Sequence, residues 1–147
     1  MVKYDFVVLK PESQKRFSDI YEEIQKSRLG SIKLYGVNDW AYLSKELYAN
    51  QLKTNSEFEA SFESLVYIIK HLFGNKAVVV LIKNIYNNEN FEKDILKFKK
   101  TIREKYSESD KIYFLINLAK LKGINADKSK ISEILLKDKS RQLKKKF

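Results

Sequence analysis

Ala77-Val78-Val79-Val80-Leu81-Ile82 is an unbroken run of aliphatic, mostly β-branched residues, and its reading decides the fold. A run this short with no polar position reads as a strand covered on both faces, and so central in its sheet. Working outward, Tyr4-Asp5-Phe6-Val7-Val8-Leu9 reads as a second doubly buried strand, ending at Lys10-Pro11 because proline cannot continue the ladder. Ser31-Ile32-Lys33-Leu34-Tyr35-Gly36-Val37 alternates polar and apolar positions, the mark of a strand with one face less buried. Ile112-Tyr113-Phe114-Leu115-Ile116 supplies a fourth strand signal.

Helical periodicity fills the intervals. Phe17, Ile20, Tyr21 and Ile24 recur at i, i+3, i+4 and i+7, which predicts a helix from Pro11 to Arg28 with Gly30 as its stop. Asn38-Asp39 can cap a short helix reaching Asn50. Phe58, Phe62, Leu65, Val66 and Ile69 form one stripe of a longer helix that starts near Asn55 or Ser56 and ends at Gly74-Asn75. Phe91, Ile95, Phe98 and Ile102 mark a helix to Lys105, and Ile131, Ile134 and Leu135 mark the last one. The order is βαβ, two helices, βαβ, then a terminal helix. It predicts an α/β (α+β) sandwich of the ferredoxin-like split βαβ type, with helices on one face of a four-stranded, mainly antiparallel sheet.

Composition narrows the functional classes. At 147 residues the chain fits one domain. Hydrophobic residues at 44% and aromatics at 13% are enough for a core. The absence of cysteine excludes disulfides, thiolate zinc sites and cysteine nucleophiles. A single histidine, His71, excludes paired-histidine metal sites. No apolar stretch reaches the roughly 18–20 residues of a membrane span, and Met1–Lys10 carries Lys3, Asp5 and Lys10, unlike a secretory leader. The expectation is a soluble cytoplasmic domain.

The net charge is +10, and residues 128–147 hold eight basic and two acidic residues. This divides the chain into a domain over 1–136 and a basic tail over 137–147. The tail can attract phosphates or another anionic surface, or can be a solvated, fraying terminus.

The order of elements, with short motifs at matching places, resembles the nucleoside diphosphate kinases. Val7-Val8-Leu9-Lys10-Pro11-Glu12 is similar to the family's first strand and Lys-Pro-Asp. Glu46-Leu47-Tyr48 resembles a helix ending in His-Tyr, and Phe62-Glu63-Ser64-Leu65-Val66 resembles its Phe-x-x-Leu-Val helix. Thr101-Ile102-Arg103 resembles Thr-Ile-Arg, Asn117-Leu118-Ala119-Lys120 stands where Asn-x-x-His is expected, and Glu133-Ile134 matches a Glu-Ile on the closing helix. The resemblance implies phosphate contacts from Lys10, Tyr48 and Arg103, a sugar contact from Asn117 and a base-stacking ring at Phe62 or Phe58. It places Glu133 where a carboxylate orients the catalytic imidazole. It also implies a nucleoside di- or triphosphate ligand, possible Mg²⁺ and a homo-oligomer.

Two departures change the expected chemistry. Lys120 occupies the nucleophile place, and a protonated lysine has no lone pair with which to accept a phosphoryl group. The segment between Ile82 and Thr101 also lacks the family's Gly/Pro-containing gripping loop and reads as helix. The sequence therefore suggests an ATP-binding or other nucleotide-binding pseudoenzyme, sensor or altered phosphotransferase, with no residue assigned as catalytic. Each site residue keeps a structural alternative: Lys10 as a boundary lysine, Tyr48 and Phe62 as core, Arg103 as the end of a helix, and Lys120 as a salt-bridge partner of Glu133. The alternative function is a basic interaction module that binds nucleic acid or an acidic protein through the tail. No Gly-x-x-x-x-Gly-Lys, Gly-x-Gly-x-x-Gly or Gly-x-Ser-x-Gly motif is present. The third strand also lacks the aromatics of an RNA-recognition sheet.

Overall fold

A computed structural model describes residues 3–47, 56–107 and 130–144. Its elements run β1 (Tyr4–Leu9), a 3₁₀ segment (Pro11–Arg16), α1 (Phe17–Ser27), β2 (Ser31–Gly36), α2 (Trp40–Leu47) and α3 (Ser56–Phe73). They continue through β3 (Val78–Lys83), α4 (Phe91–Ser107), α5 (Ile131–Lys137) and β4 (Arg141–Leu143). The sheet order is β1-β3-β2-β4, and every pairing is antiparallel. Both β1 and β2 pair with β3, so they run parallel to each other with β3 inserted between them.

The aliphatic run is central as its composition demands. Val79, Val80 and Ile82 are fully buried, and Val80 sits opposite Val7 on one side and Leu34 on the other. The period-2 alternation of strand side chains then builds two cores, not one. Phe6, Val79 and Leu81 face Trp40, Leu43 and Leu47 of α2, Val66 of α3, and Ile131, Ile134 and Leu135 of α5. Val7, Leu9, Leu34, Val78, Val80 and Ile82 face Phe17, Ile20 and Ile24 of α1 and Phe91 and Ile95 of α4. Helices therefore cover both faces of the sheet, not one as expected. The reason lies in β3, whose two faces are equally apolar and both need cover.

Three further differences have local causes. The helix expected from Pro11 begins as a 3₁₀ segment, and Ser13 donates both its N–H (2.9 Å) and its hydroxyl (2.7 Å) to the carbonyl of Lys10. The stop at the end of α1 is Arg28, in the left-handed conformation at φ 52°. Gly30 serves a different need: a Cβ there would lie 2.1 Å from the carbonyl oxygen of Lys83. Finally, part of the segment read as a tail folds, with Arg141–Leu143 pairing with Leu34–Gly36 as β4. The fourth strand expected at 112–116 lies outside the described residues. No helix among the described residues is long and apolar enough to cross a membrane.

The cap of α2 follows the sequence and adds to it. The Asp39 carbonyl accepts the N–H of Leu43 at 2.9 Å, and its carboxylate accepts that of Tyr42 at 3.3 Å. The N–H groups of Asn38 and Asp39 are in turn taken by the two oxygens of Asp138, at 2.8 and 2.9 Å. Asp138 is buried, and Ser140 donates its hydroxyl to it at 2.5 Å. A buried carboxylate needs such donors.

Candidate functional site

The carboxyl ends of the parallel strands β1 and β2 lie at one end of the sheet, beside the start of β3. A groove of about 460 Å³ opens there. One wall is the 3₁₀ segment and the first turn of α1, through Gln14, Lys15, Phe17 and Ser18; the other is Gly36-Val37 and Asn75–Val78. Val37 donates its N–H to the carbonyl of Ala77 at 3.0 Å, which fixes the second wall.

Local sequence shapes this wall. α3 ends at Gly74, whose φ of +77° is a left-handed conformation that glycine adopts without strain. Its N–H is donated to the carbonyl of Lys70 at 2.8 Å. The chain then turns through Asn75 and Lys76, where Ala77 donates to the Asn75 carbonyl at 2.7 Å before β3 begins.

The chemistry of the groove is mixed. Buried Phe17, Ala77 and Val78 give an apolar floor. Lys15 and Lys76 are exposed on opposite walls, and neither has an ion-pair partner among the described residues. The Oδ1 of Asn75 is buried and has no hydrogen-bond partner among the described residues. Such an acceptor costs about 1–3 kcal/mol when left unsatisfied, so it favours a bound group that brings an N–H or O–H. Two cations among the lining residues favour a ligand with negative charge. A volume of this size suits a small organic molecule.

Of the residues suggested by the resemblance whose side chains are described, Lys10, Arg103 and Glu133, none lines this groove. Lys10 is half-buried at the end of β1, where it opens the 3₁₀ segment that forms one wall. Arg103 is exposed within α4, and Thr101-Ile102-Arg103 is therefore mid-helix. Glu133 is exposed and pairs with Lys137 at 3.1 Å, which holds the lysine above its ordinary pKa through that hydrogen bond. Phe62 and Phe58 are on α3, and Tyr48, Asn117 and Lys120 lie outside the described residues. His71 is exposed at the end of α3. Lys15, Asn75 and Lys76 were not legible as a site, because a lysine in a polar helical turn and an Asn-Lys pair after glycine read as ordinary boundary residues.

The described residues contain no group of three His, Asp or Glu side chains arranged to hold a metal ion. Comparison of the chain with protein-family models, with curated proteins and with solved structures finds no match.

Proposed function

We propose that the chain is a nucleotide-binding domain that does not perform phosphohistidine transfer. The observation that carries this reading is the groove at the β1–β2 end, with Lys15 and Lys76 on opposite walls, an apolar floor, and Asn75, whose buried side-chain oxygen has no partner among the described residues, in its lining. The lysines would take phosphate oxygens, the floor would take the base or sugar, and Asn75 would accept a hydrogen bond from a ring or sugar donor. Parallel β1 and β2 with β3 between them fit the ferredoxin-like split βαβ arrangement and its likeness to nucleoside diphosphate kinases. Within that likeness, Lys10 stands at the same end of the sheet as the groove.

The loss of phosphoryl transfer rests on Lys120 at the nucleophile place and on His71 being the only histidine. Incubation with γ-labelled ATP should give no acid-labile phosphoprotein. Labelling that persists in His71→Ala would refute the pseudoenzyme reading.

A thermal-shift screen of nucleoside mono-, di- and triphosphates, with and without Mg²⁺, tests the binding itself. A true ligand at a hundredfold excess over Kd stabilises by about 2.7 kcal/mol. The double variant Lys15→Glu/Lys76→Glu should abolish that shift while leaving the unliganded Tm within a few degrees, since both side chains are exposed. No shift with any nucleotide, or a shift unchanged in the double variant, removes the groove from the reading.

A further inference from the structure

α4 carries a second basic feature that the groove does not use. Lys93, Lys97 and Lys100 recur at i, i+4 and i+7, so they share one face, and Arg103 continues the line a turn later. All four are exposed, and none has an ion-pair partner among the described residues. Their Cα positions span about 15 Å of helix at 1.5 Å per residue. Glu104, four residues after Lys100, shares this face and forms no ion pair with the line among the described residues. Lysines on α1 and α5 are offset by glutamates four residues away, as in Lys26–Glu22 at 3.0 Å and Lys137–Glu133 at 3.1 Å. On α4, Lys93 neighbours Lys97 and Lys97 neighbours Lys100, a like-charge spacing that weakens a helix, while Lys100 has Glu104 four residues on.

The turn that leads into α4 presents an aromatic ring at the start of this line. Tyr86 is 59% exposed and Ile85 is 50% exposed. Their loop is fastened by its asparagines. Asn88 donates its N–H to Asn84 Oδ1 at 3.0 Å, and Asn84 Nδ2 donates to the Asn88 carbonyl at 3.0 Å. Asn88 Nδ2 donates to Asp94 at 2.8 Å, and Asn90 N–H donates to Asn88 Oδ1 at 2.9 Å. An exposed tyrosine on a loop held this closely is a fixed platform.

We infer that Tyr86 and the Lys93–Lys97–Lys100–Arg103 line of α4 form a binding surface for single-stranded nucleic acid. Phosphates follow the cations, and an unpaired base stacks on Tyr86, the combination by which single strands are held without sequence preference. A lipid surface fits poorly. The apolar stripe of α4, Phe91, Ile95, Phe98 and Ile102, is already spent on the core, which leaves Leu96 as the one exposed large apolar side chain of α4 among the described residues, too little to insert. An acidic protein would use the cations but give Tyr86 no part.

The test is fluorescence anisotropy of the full chain with a labelled oligouridine of about twelve nucleotides. Its log Kd should rise with log salt with a slope of about 3, the value for four phosphates on a single strand. Lys93→Glu/Lys97→Glu/Lys100→Glu should weaken binding by about a hundredfold or more, and Tyr86→Ala by roughly tenfold, each with an unchanged Tm. Lys70→Glu, an equal charge change for one exposed lysine on α3, should leave binding within about twofold. The inference is overturned in any of three cases: no binding, an effect of Lys70→Glu equal to that of Lys97→Glu alone, or Tyr86→Ala binding as well as wild type. It is also overturned if neutralising Lys144, Lys145 and Lys146 abolishes binding while the α4 variants retain it.

Discussion

Two residues that touch no ligand set how far the fold can be altered. At Gly30, an added methyl would meet a backbone oxygen, Lys83 O, which cannot rotate away as a side chain could. Gly30→Ala should therefore destabilise the chain by more than about 2 kcal/mol, seen as a lower urea midpoint. Asp138 is the second. Replacing it with alanine leaves the N–H groups of Asn38 and Asp39 without their acceptor at the start of α2. The expected loss is about 2–3 kcal/mol, measured the same way. Asp138→Asn keeps one acceptor oxygen and should lose less. A midpoint unchanged by Asp138→Ala would show that water replaces the carboxylate at no cost.

Among the elements, α1 and α4 are joined across the second core by a charged cluster. Lys105 pairs with Glu23, the Tyr106 hydroxyl donates to the same carboxylate at 3.3 Å, and Arg16 lies over the Tyr106 ring at 5.7 Å. The hydrogen bond to Glu23 raises the Lys105 pKa, and burial, with Glu23 next, raises that of Tyr106. Each group binds its proton more tightly in the folded chain than in the unfolded one. Their contribution is thus complete below the ordinary values, about 10.4 and 10, and is lost as pH rises through the higher folded values. The Tm should fall as pH rises above the ordinary lysine and tyrosine values, and Glu23→Gln should start lower at neutral pH and fall less. Parallel curves for the two proteins would exclude the cluster as the cause. Strands β1, β2 and β3 and the five helices of the described residues were legible from the sequence, α2 from its Asn38-Asp39 cap and the others from a run, alternation or stripe of apolar residues. β4 was not. Arg141-Gln142-Leu143 has no apolar run, and it becomes a strand only because β2 offers a free edge in register. The groove escaped for a similar reason: its residues lie on three separate segments that only the sheet brings together.

For the whole molecule, the C-terminal segment is part of the folded body through residue 143. A chain ending at Lys137 loses Asp138 and β4 together and should lose about 3–4 kcal/mol, from the cap and the packing of Leu143. A chain ending at Lys144 keeps both and should match the full chain within about 0.5 kcal/mol. Denaturant unfolding of the two truncations decides this. Equal stability would mean that the sheet is complete without its fourth strand.

The hold of Asp138 on the start of α2 joins residues one hundred positions apart. On the ribosome, α2 emerges long before its capping carboxylate has been made. At roughly 5–20 residues per second, the helix waits about 5–20 s for it. Throughout that interval the apolar side of α2 has no α5 to lie against. A pause in translation in the last third of the message would prolong this exposure, making the speed of synthesis there a determinant of yield.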